Sequence, residues 1–313
     1  MSGEASRCFR CFGGTVTVHV GGRGAERAAR MVEAGLLEGH HRLSRFEPSS
    51  ELSRLNRDAR RAVPVSPLLL KVALGVRRAG LLSGGLVDAT QIAEIEAAGY
   101  GRSARHEGFE PPSPELVAAM PAAPARPSTE RRWERVHVDR AHSLVIRPPG
   151  VLLDGGGIAK GLLADLLGAR LERFQTFAID CCGDLSIGGR GGRPRTVLID
   201  DPFGGPPIHE LVVTAGGVAT SGVTRRAWRD HAGSLSHQVL DPATGLPAFT
   251  GVVQATALAP SAFEAEVLAK RALLSGSAEA GSNLPWGGVV VHADSRVEVV
   301  PRGGLPARAL VRK

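Results

Sequence analysis

The run Leu153-Asp154-Gly155-Gly156-Gly157-Ile158-Ala159-Lys160-Gly161 pairs a backbone that can approach an anion closely with a cation that can meet it. It reads as strand, glycine turn and helix, so amide groups and a helix N-terminus converge on one point. Lys160 falls in the first helical turn, where its ammonium can reach a phosphate. The spacing matches neither G-x-x-x-x-G-K-[ST] nor G-x-G-x-x-G, which sets aside the two common nucleotide loops. A tight turn that merely needs glycine is the alternative.

Four other segments carry groups of interest. Ala219-Thr220-Ser221-Gly222 offers two hydroxyls beside a glycine, suited to phosphate oxygens or to a plain turn. His237 stands on a strand entering the turn Asp241-Pro242-Ala243-Thr244-Gly245; it is a candidate general base, with a structural histidine as the alternative. Glu266 and Lys270 lie four apart on one helix face, either as an ordinary ion pair or with Glu266 offering oxygen to a hard cation such as magnesium. Asp88, in Gly85-Leu86-Val87-Asp88-Ala89-Thr90, is a polar anchor or the N-cap of a helix over residues 89–98.

These groups need elements to hold them. Alternation over residues 15–20 predicts a strand, and a 3.6-residue period over 25–43 predicts a helix. Ser49, Ser50 and Glu51 open a short helix, and Ser66-Pro67 starts another that should end before Gly80. Residues 133–139 and 143–146 read as a hairpin, and 157–173 as a helix. Strands follow at 176–179, 184–187, 196–199, 211–213, 236–240 and 252–258, with a strand at Val218, a helix over 261–274 capped by Ser261, and closing strands at 288–292 and 297–300. Residues 101–131, rich in Pro and Ala, read as an exposed excursion, with a helical turn at 114–119. Strands outnumber helices without regular alternation, which predicts an α+β fold with mostly antiparallel sheet and packed helices. The whole chain, 1–313, is expected to form a single domain apart from that excursion.

Composition bounds the partners. Aromatics make up only 4% of the chain, which argues against a base-stacking nucleic-acid binder. No stretch is long and apolar enough to span a bilayer, and residues 1–12 read as neither signal peptide nor lipoprotein leader, so a cytoplasmic protein is expected. The net charge of +7 comes from scattered arginines. Only Lys71, Lys160, Lys270 and Lys313 are lysine, so each of these stands out. Cys8 and Cys11 form a lone C-x-x-C pair and Cys181 and Cys182 are adjacent, a pattern that predicts free thiols rather than a zinc site.

Taken in order, the segments resemble the FAD:protein FMN transferases, the ApbE-like flavin transferases. The likeness is carried by Gly13-Gly14-Thr15, by residues 43–56 (Leu-Ser-Arg-Phe-Glu-Pro-Ser-Ser-Glu-Leu-Ser-Arg-Leu-Asn), by Val87-Asp88-Ala89-Thr90 and by 154–161. It continues through Cys182-Gly183-Asp184, where the family usually has Gly-Gly-Asp, then 219–222, 237–245 and 259–274. The resemblance implies an ApbE-like, T-fold-related architecture. It implies magnesium-dependent transfer of FMN from FAD to a threonine or serine hydroxyl of a target flavoprotein, releasing AMP. By position, Ala159 would give a carbonyl to magnesium and Lys160 would contact FAD. Gly13, Ser44, Arg45, Phe46 and Asp88 would line the flavin or adenine site, and Thr220 and Ser221 would frame it. His237 would hold the pyrophosphate or take the acceptor's proton, with Asp154 and Asp180 as alternatives.

Two departures matter. Glu266 and Lys270 stand where the family usually has Asp and Thr as metal ligands, and an ammonium has only donors. No large aromatic follows Gly14-Thr15, which leaves Phe46 to stack on the flavin. Two further readings therefore accompany the transferase: an FAD-binding protein with Lys270 in place of a metal ligand, and a pyrophosphatase yielding FMN and AMP.

Overall fold

The structure, a computed structural model, describes residues 3–101, 111–230 and 233–303. Its centre is an eight-stranded antiparallel sheet whose strands lie side by side in chain order: Glu4–Cys11, Gly14–Gly21, Thr176–Cys181, Asp184–Gly188, Gly216–Gly222, Val252–Ala259, Gly288–His292 and Val297–Val300. Alternation explains the half-buried strands: Val16, Val18 and Val20 are fully buried while Thr17 and His19 are not. In Val252–Ala259 every residue is buried, because both faces are covered.

The helices are α1 (Ala25–Leu43), α2 (Glu51–Arg57), α3 (Pro67–Ser83), α4 (Ile92–Ala97), α5 (Pro114–Ala118), α6 (Ala159–Gly168) and α7 (Ala262–Leu274); α1, α6 and α7 pack on the sheet, α2 on α1, and α3 on α6 and α7. Of these, α7 lies across strands Gly216–Gly222 and Val252–Ala259, and α6 packs between α7 and the two strands before them. The opposite face is covered by a small hairpin, Arg195–Ile199 with His209–Val213, over a cluster that includes Ile187, Val218, Leu258 and Val289.

The contact between α6 and α7 is built from reciprocal bonds. Asp165 of α6 accepts the amide N–H groups of Ala262 and Phe263 at the start of α7, each at 2.9 Å. Glu266 of α7 accepts the amide of Gly161 at the start of α6, at 3.0 Å. Ser261 caps α7 by accepting from Glu264 N–H, as expected. Each carboxylate thus satisfies helix-end donors that have no partner inside their own helix. Gly161 permits this approach: a Cβ there would lie 2.6 Å from the Ala262 carbonyl oxygen.

The fold is α+β with mostly antiparallel sheet, as the pattern predicts, and α1 has the expected bounds. Several boundaries differ, three of them as follows. The helix from Ser66 runs through Gly80 to Ser83, since Trp133 packs onto Gly80, and Gly84 closes it with a left-handed backbone. The helix expected to reach residue 173 ends at Gly168, after which Leu171 and Phe174 close tight turns on Gly168 and Leu171. The strand expected over 236–240 is only Leu235–His237. Three strands, Glu4–Cys11, Ala62–Pro64 and Ala227–Arg229, were not foreseen. Residues 102–110 of the expected excursion lie outside the described residues. Its described remainder is tied down, with Ala123 N–H on Phe249 O, Ala125 N–H on Leu274 O and Arg126 N–H on the Asp241 carboxylate, each at 2.9 Å. Among the described residues no helix is long and apolar enough to cross a membrane.

Gly161→Ala should therefore cost about 1–3 kcal/mol, the usual penalty for overpacking against groups that cannot yield. Gly75→Ala, in α3, would place its Cβ at ordinary contact distances from Phe263 and Ile158, and should gain up to about 1 kcal/mol from helix propensity. Urea denaturation of the two variants checks the opposite signs.

Candidate functional site

A cavity of about 800 Å³ opens where the loops at one end of the sheet meet the ends of α1, α3 and α6. Its wall is made largely of turns. The turn Phe12-Gly13 joins the first two strands and has both residues at positive φ, 54° and 76°. Cys182-Gly183 does the same for the next pair, at 59° and 93°. These are the backbone angles of mirror-image hairpin turns, which glycine adopts without penalty and Phe or Cys does not. A Cβ at Gly14 would lie 2.7 Å from Cys182 Sγ, so the two turns are packed on each other.

Beside them, Arg45 is almost fully buried and holds the region after α1 together. Its guanidinium lies 4.2 Å from the Phe46 ring centroid and 5.2 Å from that of Tyr100. It donates to Glu96 Oε1 at 3.1 Å and to the Tyr100 carbonyl at 2.5 Å, with Asp154 at 3.8 Å. Tyr100 meets Phe46 edge-on and stacks on Trp228.

The glycine run beneath is more occupied than its sequence suggests. The amide of Gly156 is bonded to the Asp154 carboxylate, those of Ile158 and Ala159 to Gly155 O, and that of Gly161 to Glu266. Lys160 Nζ forms an ion pair with Asp184. Burial works against the Lys160 ammonium, but Asp184 and Glu266 outweigh it and hold its pKa above the ordinary lysine value. Burial would likewise raise the Glu266 carboxyl; Lys270, Lys160 and the Gly161 amide outweigh it and hold it below the usual range. For Asp184 burial wins over Lys160, and its carboxyl is pushed up.

Of the residues singled out by sequence, the cavity wall gathers Gly13, Ser44, Arg45, Phe46, Asp88, Ala159, Lys160, Thr220, Ser221 and Lys270. Asp88 is bonded to its own turn, accepting from Thr90 N–H at 2.9 Å and Thr90 Oγ1 at 2.5 Å, and α4 begins only at Ile92 rather than at residue 89. Thr220 Oγ1 lies 2.9 Å from Thr256 Oγ1. His237 and Glu266 are not on the wall; both are fully buried. The His237 ring lies behind residues 238–240, edge-on to Phe249 at 4.8 Å. Its Nδ1 accepts from Val239 N–H at 3.3 Å, and Nε2 has no partner among the described residues.

A profile of the ApbE family matches residues 12–284. The chain belongs to the ApbE family. The FAD:protein FMN transferase of Haemophilus influenzae is 26% identical over 299 residues, spanning 92% of this chain and 79% of that relative. The enzyme of the same name from Salmonella typhimurium is 28% identical over 261 residues, 80% of this chain and 72% of that one. Among solved structures, the ApbE protein of Thermotoga maritima superposes with a TM-score of 0.79 at 22% identity, covering 99% of this chain and 100% of that one. The flavin transferase ApbE of Vibrio cholerae gives 0.70 at 21%, covering 96% and 97%. The fold is the ApbE fold.

Within that fold, the residues at the expected magnesium seat do not suit the ion. Magnesium needs several oxygen ligands. Glu266 is the only carboxylate of the expected set, and both its oxygens are engaged, Oε2 by the Gly161 amide and Oε1 by Lys270 Nζ at 3.2 Å. Lys270 has no lone pair to give while protonated. Among the described residues no cluster of three His, Cys, Asp or Glu is arranged to hold a metal.

Sequence reading missed several wall residues. Tyr100, the only tyrosine in the chain, could have been flagged by that rarity alone. Arg226 bridges Phe12 O and Gln238 Oε1, each at 3.1 Å, and carries no local motif that separates it from other arginines. Asp184 was visible only as part of a motif, without its role as partner of Lys160.

Burial pushes the His237 imidazole from the ordinary 6.5 down to about 4. The unfolded chain therefore binds a proton between these values that the folded chain refuses. Stability contributed by the neutral ring is complete above pH 6.5 and lost as pH falls toward 4, by about 3 kcal/mol at about 1.4 kcal/mol per pH unit. Denaturation midpoints measured across this range should drop with acid, and His237→Gln should flatten that limb.

Proposed function

We propose that this protein transfers FMN from FAD to a threonine or serine hydroxyl of a target flavoprotein. The observation that carries the reading is the cavity itself. In a chain of the ApbE family, its wall brings together the glycine turn, Lys160 and Lys270 with the Arg45-Phe46-Tyr100 cluster. The lysines suit a pyrophosphate and the aromatic cluster a planar ring system.

In the reaction, the acceptor's hydroxyl oxygen forms a bond to the FMN phosphorus. The bond from that phosphorus to the bridging oxygen breaks, and its electron pair leaves with AMP. The hydroxyl proton passes to a base. Asp154 and Asp180 stand on the wall, and burial pushes the Asp180 carboxyl up. His237 is neutral at pH 7 but serves only if residues 238–240 yield. The protein's share is positioning and charge, since phosphoryl transfer needs no protein nucleophile here. Lys160 and Lys270 meet the negative charge of the pyrophosphate, and Arg45 fixes the ring-binding side. No step is assigned to magnesium, because the donor set at its expected seat does not suit it.

Incubation of the purified protein with FAD and a flavoprotein bearing an exposed threonine should yield flavin fluorescence that stays on the partner through denaturing electrophoresis, with one AMP released per flavin attached. Retained FAD without transfer would replace this reading by a binding role, and free FMN with AMP by hydrolysis. Among Asp154→Asn, Asp180→Asn and His237→Gln, loss of the true base should lower kcat by about 100-fold or more with FAD affinity kept.

A further inference from the structure

Four charges alternate at the base of the cavity: Asp184, Lys160, Glu266 and Lys270. The two carboxylates are sealed, at 1% and 0% exposure, while the two lysine side chains keep 16% and 18% and stand on the cavity wall. The arrangement is therefore polarised, with the carboxylates sealed and the lysine side chains reaching the cavity wall. Both Glu266 oxygens are bonded, and the one free carboxylate oxygen of this set, Asp184 Oδ1, is buried out of reach of the cavity.

Lys270 is held in place from two sides. Its Nζ is tied to Glu266 one helical turn earlier. Its stem crosses the glycine run, with Cε 3.6 Å from the position a Cβ would take on Gly157. The ammonium is thus delivered next to the start of α6, where helix geometry already favours an anion. At the expected metal seat the wall therefore presents two fixed lysines while the carboxylates of the set are sealed or bonded, an arrangement that suits an anion better than a hydrated cation.

We propose that Lys270, with Lys160, is the resident counter-charge for the FAD pyrophosphate, and that this protein binds FAD without a divalent cation. The inference rests on FAD being the substrate, as proposed above, and it defines how that substrate is held. Lys270 is a specificity-determining group here: it selects flavins with a pyrophosphate over those without one.

The test is binding to the full chain, followed by flavin fluorescence or calorimetry, with transfer assayed in parallel. FAD affinity should change by less than about twofold between excess EDTA and millimolar magnesium. The double variant Glu266→Gln/Lys270→Met removes both charges of the pair together and so leaves no unpaired buried carboxylate. It should weaken FAD by at least about tenfold, the cost of one charge-assisted hydrogen bond, while riboflavin, which has no phosphate, binds as to the wild type. Lys270→Arg should keep most of the FAD affinity. FAD binding that is lost in EDTA and restored by magnesium overturns the proposal, as does a double variant that binds FAD like the wild type. Metal-free FAD binding without flavin transfer leaves this inference standing and removes the transferase reading; transfer with magnesium-dependent binding does the reverse.

Discussion

The exchange of carboxylates between α6 and α7 is the constraint on which the cavity depends. Glu266 carries a charge where there is no water, so it must be met by groups that cannot leave. The Gly161 amide and Lys270 meet it from two directions. Asp165 returns the bond by holding the first two amides of α7. Breaking one partner of a buried pair leaves an uncompensated charge, which costs more than the pair itself contributes. The register of the two helices is therefore narrow, and it decides where Lys160 and Lys270 emerge.

The rest of the wall is rigid for a different reason. Two hairpin turns with left-handed backbone pack against each other through Gly14 and Cys182, so their amides and carbonyls sit close to the cavity with little side chain between. Elsewhere on the wall, Arg45 is clasped by Phe46 and Tyr100 and tied to Glu96. One face of Phe46 is consequently taken by a guanidinium. A planar ligand would meet a composite surface of Phe46, Tyr100 and neighbouring backbone rather than a single free ring.

Local signals revealed the elements where residue type alone decides conformation. Ser66-Pro67 and Ser261 mark helix starts, and valines alternating over residues 15–20 mark a strand, because capping and pleating act within a few residues. Glu4–Cys11 was hidden because its faces are only half covered and its charged residues break the apolar pattern. The continuation of α3 through Gly80 depends on Trp133, more than fifty positions away in the chain, and no local rule contains that contact. The site divides in the same way. Lys160, Asp88 and Thr220 were legible through their motifs, and the Glu266–Lys270 spacing told of the pair. The sealing of His237 behind residues 238–240 and the clasp on Arg45 belong to tertiary packing and leave no mark on spacing.

The order of strands in the sheet carries a consequence for how the protein is made. Neighbouring strands are neighbours in sequence, yet the strand ending at Gly21 pairs with the one beginning at Thr176, so residues 22–175 must be looped out to close that seam. Closing a long loop costs entropy before any contact repays it, and such pairings set the pace of folding. The cavity straddles the seam: Arg45, Asp88 and Lys160 come from the looped segment or its end, while Asp180, Thr220 and Lys270 come from beyond it. No half of the chain can assemble the cavity alone, so on the ribosome the cavity becomes competent only after α7 has emerged and the seam has shut.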